Sequence, residues 1–188
     1  MIVAIDPGHS GPFEPGAIGP NGTREADITM QAGEMLAEEL TQRGISPLLT
    51  RTGAIDNDDL SWRAELANEN NAAAFISIHC NAAENPAAEG YEIFTSPGQD
   101  ESDYLAECIF DEIEAAFPDF EQRADGSDGD RDKEANFTVI TRADCPAVLI
   151  ELAFISNPRE EQYLRNPAFL RKYVQAIATG VARFCEVA

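Results

Sequence analysis

The chain contains only two histidines, and both stand where an apolar run gives out. His9 lies in DPGHSG, directly after IVAI, and His79 closes the run in FISIHCNA. Two carboxylates keep similar company. Glu25 follows the glycine-rich stretch GAIGPNGTRE, and Glu151 sits within AVLIELAFISNP. Two imidazoles and one carboxylate form the donor set of a catalytic zinc site, which leaves a fourth position for water. A metal there lowers the pKa of that water to about 7, and a carboxylate that is not a ligand can carry the proton. Together these residues offer metal-assisted hydrolysis. Spacing alone does not say which carboxylate binds and which transfers protons.

Taken singly, each residue has a plainer explanation. A histidine after a strand more often makes structural hydrogen bonds. Glu25 suits the first turn of a helix, where an acid complements the dipole. Glu151 is harder to explain this way. Among Leu149, Ile150, Leu152 and Phe154 a carboxylate must be paired, protonated or functional. An arginine partner is its structural alternative. The chain has no HExxH helix, so a thermolysin-like scaffold is excluded.

For these residues to meet, several strands must end at one edge. IVAI, SPLLT, AAFISIH, GYEIFTS, FTVIT and AVLIEL read as strands. Helices are expected over residues 27–43, over DDLSWRAELANENN, over 100–116 and from about Pro167 to Cys185. The strands are continuous apolar runs, which suits a mostly parallel, twisted sheet with helices on both faces. The expectation is a single α/β domain of about six strands over residues 1–188. Ligands gather at the carboxyl ends of such strands. Cys80, next to His79, should point away by alternation and is not counted as a ligand. Arg123 to Glu134, RADGSDGDRDKE, reads as an exposed acidic loop.

Composition sets further bounds. A chain of 188 residues with 44% hydrophobic content can build one full core. A net charge of -21, with Lys133 and Lys172 as the only lysines, speaks against a nucleic-acid partner. A solvated acidic surface is the simplest use of that charge. No apolar stretch is long enough for membrane insertion. The start MIVAIDPGHS lacks a basic region and a long apolar run, so no signal peptide is visible. Cys80, Cys108, Cys145 and Cys185 have no CxxC spacing and are expected as free thiols.

The motifs carry a resemblance. IVAIDPGHSG, GAIGPNGTREADI, LLTR, WRAELAN, FISIHCNA and CPAVLIELAFISNP, in that order, resemble the zinc-dependent N-acetylmuramoyl-L-alanine amidases of the Amidase_3 group. The likeness covers essentially the whole chain. It implies one zinc ion bound by His9, Glu25 and His79, with Glu151 as the catalytic residue. Its implied reaction is hydrolysis of the amide between N-acetylmuramic acid and L-alanine in peptidoglycan, by a monomer acting on the cell wall as an endolysin or autolysin. A zinc peptidase, a deacetylase and a non-catalytic wall-binding module are the alternatives. Asn81, Arg131 and Asn157 are the implied substrate contacts. Glu14 is a rival to Glu25 as third ligand, but it lies before the GAIG turn. Ser10, Ala153 and Asp132 depart from the family's usual residues, and Asp132 is expected to alter a substrate-facing loop. Some exported members carry an insertion whose helix covers the zinc. Here the helix at 100–116 has an apolar stripe suited to the core, so an open site is expected.

Overall fold

The computed structural model describes residues 1–53, 59–127 and 129–187. Asp58, at the start of the second expected helix, and Asp128 of the acidic stretch lie outside the described residues. The elements run β1 (Ile2–Pro7), α1 (Glu25–Gln42), β2 (Ser46–Leu49), α2 (Leu60–Glu69), β3 (Ala74–Asn81), β4 (Glu92–Thr95), α3 (Glu101–Ala116), β5 (Lys133–Glu134), α4 (Thr138–Thr141), β6 (Ala147–Phe154), α5 (Pro158–Leu164) and α6 (Pro167–Val187). The sheet has six strands in the order β2-β1-β3-β6-β4-β5. All neighbours are parallel except β4 and β6.

Local chemistry explains the helix starts. Asp59 caps α2 by accepting from the Ser61 N–H, and Asp100 with Asp103 forms a capping box at α3. Asn157 caps α5, with Pro158 at its first position. Gly44 follows α1 at φ +79°, a left-handed stop that favours glycine.

Strand alternation divides the buried residues between two faces. Val3, Ile5, Ile76, Ile78, Val148 and Ile150 face the larger core, with Leu36 and Leu40 of α1, Ile109 of α3 and Val174 of α6. Ala4, Phe75 and Leu149 face the smaller one, with Ala67 of α2 and Val139 and Ile140 of α4. Two residues further along each strand, this second face turns polar. Asp6 pairs in register with Ser77, His79 with Glu151, and Glu151 with Glu92. Because β4 is antiparallel, its first residues lie at the same edge as the last residues of β3 and β6. A polar row therefore crosses the sheet at the carboxyl ends of its central strands.

Two expectations are corrected. FTVIT is not a strand: Phe137 precedes the single helical turn of α4. In a strand Val139 and Ile140 would face opposite sides, whereas one helical turn buries both in the smaller core. The sheet's remaining strand is Lys133–Glu134, inside the stretch expected to be a loop. That stretch is not exposed throughout, since Asp132 is buried and accepts from Thr95 Oγ1 at 2.5 Å. Asp132 is thus turned toward the sheet rather than toward a substrate loop.

Candidate active site

β1 delivers His9 just beyond its last residue, and β3 carries His79 directly. Glu25 opens α1 and reaches between them. His9 Nε2 stands 2.9 Å from Glu25 Oε2, and His79 Nδ1 stands 3.1 Å from Glu25 Oε1. One potential ligand atom from each residue lies within 4.8 Å of the others. Glu25 is almost fully buried, and its oxygens also accept from the backbone N–H groups of Ala17 and Cys80, each at 2.9 Å. Burial opposes its ionisation, but hydrogen bonds from His79 and His9 prevail and hold its carboxyl well below the usual carboxylate range. An anionic carboxylate between two imidazoles suits a divalent ion of zinc type.

Two glycines permit the close approach. A Cβ on Gly8 would stand 2.4 to 2.7 Å from three atoms of the His79 ring. A Cβ on Gly16 would come within 2.6 Å of both Glu25 and His9, and its φ of +67° is left-handed. Glu14 is near but plays another part. Its carboxylate oxygens lie 2.7 and 2.8 Å from His9 Nδ1, the nitrogen away from Glu25. A carboxylate there fixes the tautomer and orientation of a ligating imidazole.

Glu151 lies one strand over from His79 in register. Its Oε2 is buried and has no hydrogen-bond partner among the described residues. Burial pushes its carboxyl up to about 7. His79 opposes this, and the charges of Glu25 and Glu92 add to it. Glu92 is itself neutralised by Arg123 Nε at 2.5 Å and Lys133 Nζ at 2.8 Å. No arginine pairs with Glu151 among the described residues, so its structural alternative fails.

Cys80 points into the larger core, where burial first, then Glu25 and Glu151, push its thiol well up. Asn81 donates to Glu92 at 3.0 Å and so stays beside the polar row. Asn157 is occupied with capping α5 and with donating to the Ala88 carbonyl at 3.0 Å. Arg131 is not brought to the cluster. Its guanidinium bonds Glu107 and Asp111 of α3, both at 2.5 Å, over the ring of Phe110.

Two depressions flank the cluster. One of about 330 Å³ is lined by residues that include Gly8, His9, Glu14 and Arg63. The other, of about 260 Å³, includes Phe137, Val139, Leu149 and Glu151. Leu60 and His79 line both, so the two meet over the His9, Glu25 and His79 cluster. Sequence reading missed Asp6 and Arg63, which line the first depression, and Ser77, which bonds Asp6. Their only signal was charge or hydroxyl at positions surrounded by apolar residues.

Comparison with known proteins agrees with this architecture. The chain is 29% identical over 228 residues to N-acetylmuramoyl-L-alanine amidase AmiA of Salmonella typhimurium, covering 97% of this chain and 75% of that protein. It is 33% identical to the uncharacterised protein YqiI of Bacillus subtilis, covering 98% and 84%. Among solved structures, N-acetylmuramoyl-L-alanine amidase AmiC2 of Nostoc punctiforme superposes with a TM-score of 0.87 at 29% identity, covering 99% of this chain and 97% of that one. The family profile Amidase_3, N-acetylmuramoyl-L-alanine amidase, matches residues 3–183, and the chain belongs to that family.

Proposed function

We propose that the chain hydrolyses the amide joining N-acetylmuramic acid to L-alanine in peptidoglycan. In this reading one zinc ion is held by His9, Glu25 and His79, and Glu151 transfers the proton. The observation that carries it is the meeting of the chain's only two histidines with an ionised Glu25, one strand from a buried, unpartnered Glu151 oxygen.

Zinc in this donor set supplies a Lewis acid that polarises the amide carbonyl and acidifies water. The remaining steps fall to the chain's own groups. Glu14 takes the Nδ1 proton side of His9, leaving Nε2 turned toward Glu25. Glu151, one strand from His79, accepts a proton from the attacking water. It returns that proton to the L-alanine nitrogen as the C–N bond breaks. The products are a lactyl carboxylate on the intact glycan and a free peptide amine. The open groove on both sides of His79 leaves room for a polymer to lie across the site.

One copy carries every group this scheme uses, which supports action as a monomer. No helix among the described residues is long and apolar enough to cross a membrane. The relatives' names, as N-acetylmuramoyl-L-alanine amidases, support this bond as the target, so the action proposed here, that of an endolysin or an autolysin, is at the cell wall. The test is digestion of purified peptidoglycan with and without chelator, followed by mass analysis. Stem peptides with a free L-alanine amine and intact glycan strands are expected, and chelator should abolish their release. Release of acetate or of peptide fragments instead would refute the assigned bond.

A further inference from the structure

DPGHSG, LLTR and WRAELAN each contain a charge that the proposed hydrolysis does not use. Asp6, Arg51 and Arg63 are buried, at 1%, 1% and 2% exposure. Buried charges need partners, and those of Arg63 lead straight to the metal-ligating groups. Its Nη1 donates to Asp6 Oδ1 at 2.8 Å and to the Pro7 carbonyl at 2.9 Å. Its Nη2 donates to the His9 carbonyl at 2.7 Å. Asp6 is gripped from other elements, by Thr50 Oγ1 at 2.5 Å and Ser77 Oγ at 2.7 Å. The guanidinium is thus fixed by α2 on one side and by the strand ends on the other.

What it fixes is unusual. His9 has a φ of +67°, left-handed backbone that residues with a Cβ seldom adopt. Such a conformation persists only where the surroundings over-determine it. Glu14 orients the ring through Nδ1, and its carbonyl accepts from the next residue's N–H, that of Ser10, at 3.2 Å. Arg63 reaches the backbone of His9 itself with its side chain, at the His9 carbonyl.

We propose that Arg63 is a positioning residue for the metal centre: by locking the left-handed turn at His9, it aims Nε2 at the point shared with Glu25 and His79. This rests on the metal-binding reading above. A lysine keeps the charge beside Asp6, but a single ammonium does not reproduce a planar fork that serves one carboxylate and two carbonyls. If Arg63 only neutralised Asp6, lysine would suffice.

The test measures zinc affinity by chelator competition on the full chain, together with thermal unfolding and the visible spectrum of the cobalt(II)-loaded protein. Wild type, Arg63→Lys and Val174→Ala are compared, the last being a fully buried core position of α6 in the larger core. Arg63→Lys should bind zinc about tenfold to a hundredfold more weakly, the scale of outer-shell partners, and should shift the cobalt bands. Val174→Ala should lose thermal stability yet keep zinc affinity within about twofold, because it leaves the outer shell intact. If Arg63→Lys does not fold, Ser77→Ala loosens Asp6 without touching arginine or histidine, with an expected loss of about threefold to tenfold in zinc affinity. Wild-type affinity and an unchanged cobalt spectrum in the folded variant would overturn the proposal. So would an equal zinc loss in Val174→Ala. A wild-type chain that binds no zinc would instead overturn the metal-binding reading itself.

Discussion

Glu151→Gln separates function from stability in one substitution. Amide and carboxylate are close in size, so packing is retained while the proton acceptor is lost. Turnover should fall about a hundredfold to ten-thousandfold, the usual scale for a general base. Stability should move the other way in the zinc-free protein. The Glu151 carboxyl titrates near 7 when folded and at 4.5 in its ordinary state, because burial disfavours the charge. A raised carboxyl contributes its full stability while protonated, below 4.5, and loses it as pH rises through 7. The loss above pH 7 is about 3 kcal/mol, taken as an upper value because the residue is only half-buried. Glutamine never ionises, so the variant escapes the loss. Urea unfolding of both zinc-free proteins should give nearly equal stabilities at pH 4. At pH 8 the variant should lead by about 2 to 3 kcal/mol, or several degrees in melting temperature. A variant that is less stable than wild type at pH 8 would show that Glu151 is held by a partner in the fold. Near-normal turnover would show that it transfers no proton.

Gly8→Ala should weaken zinc binding about tenfold or more and lower activity with it, because the new methyl would displace the His79 ring. Calorimetric zinc titration checks this, and unchanged affinity would mean that the ring adapts. Deleting Asp125 to Asp130 should leave basal hydrolysis within about threefold. The residues around that stretch pack against α3 through Arg131, as ordinary surface-loop changes do. A large rise in dye-release activity on deletion would reveal an autoinhibitory role.

The central sheet was legible because burial leaves a plain mark on sequence. β1, β3 and β6 are covered on both faces, and continuous apolar runs are what such strands require. The edge was not legible. Lys133–Glu134 is two polar residues long and has no periodicity to read. FTVIT misled because β-branched residues favour strands, while the site's need to bury Val139 and Ile140 together overrode that preference. Helix α5 went unread because PREEQYL looks like an exposed turn. In the fold Glu160 and Glu161 are buried, the first accepting from Phe154 and Gly90 N–H groups and the second from those of Asn21 and Thr23.

The site divides in the same way, between what a motif holds and what only folding assembles. The residues offered as ligands each lie within a short recognisable stretch, so their types could be read. The family pattern favours Glu25, which follows the GAIG turn, over Glu14, but it gives no physical reason for the choice. Both carboxylates reach the same histidine, at opposite nitrogens, and the geometry supplies that reason. Asp6 lies 44 residues from Thr50, 57 from Arg63 and 71 from Ser77. No local pattern links them, yet each is buried and each needs the others. Charge in an apolar setting announces that a partner exists without naming it. With the positioning role proposed for Arg63, the orientation of His9 depends on residues from β1, just after β2, from α2 and from β3. A motif that supplies a candidate ligand is therefore not sufficient to build a metal site.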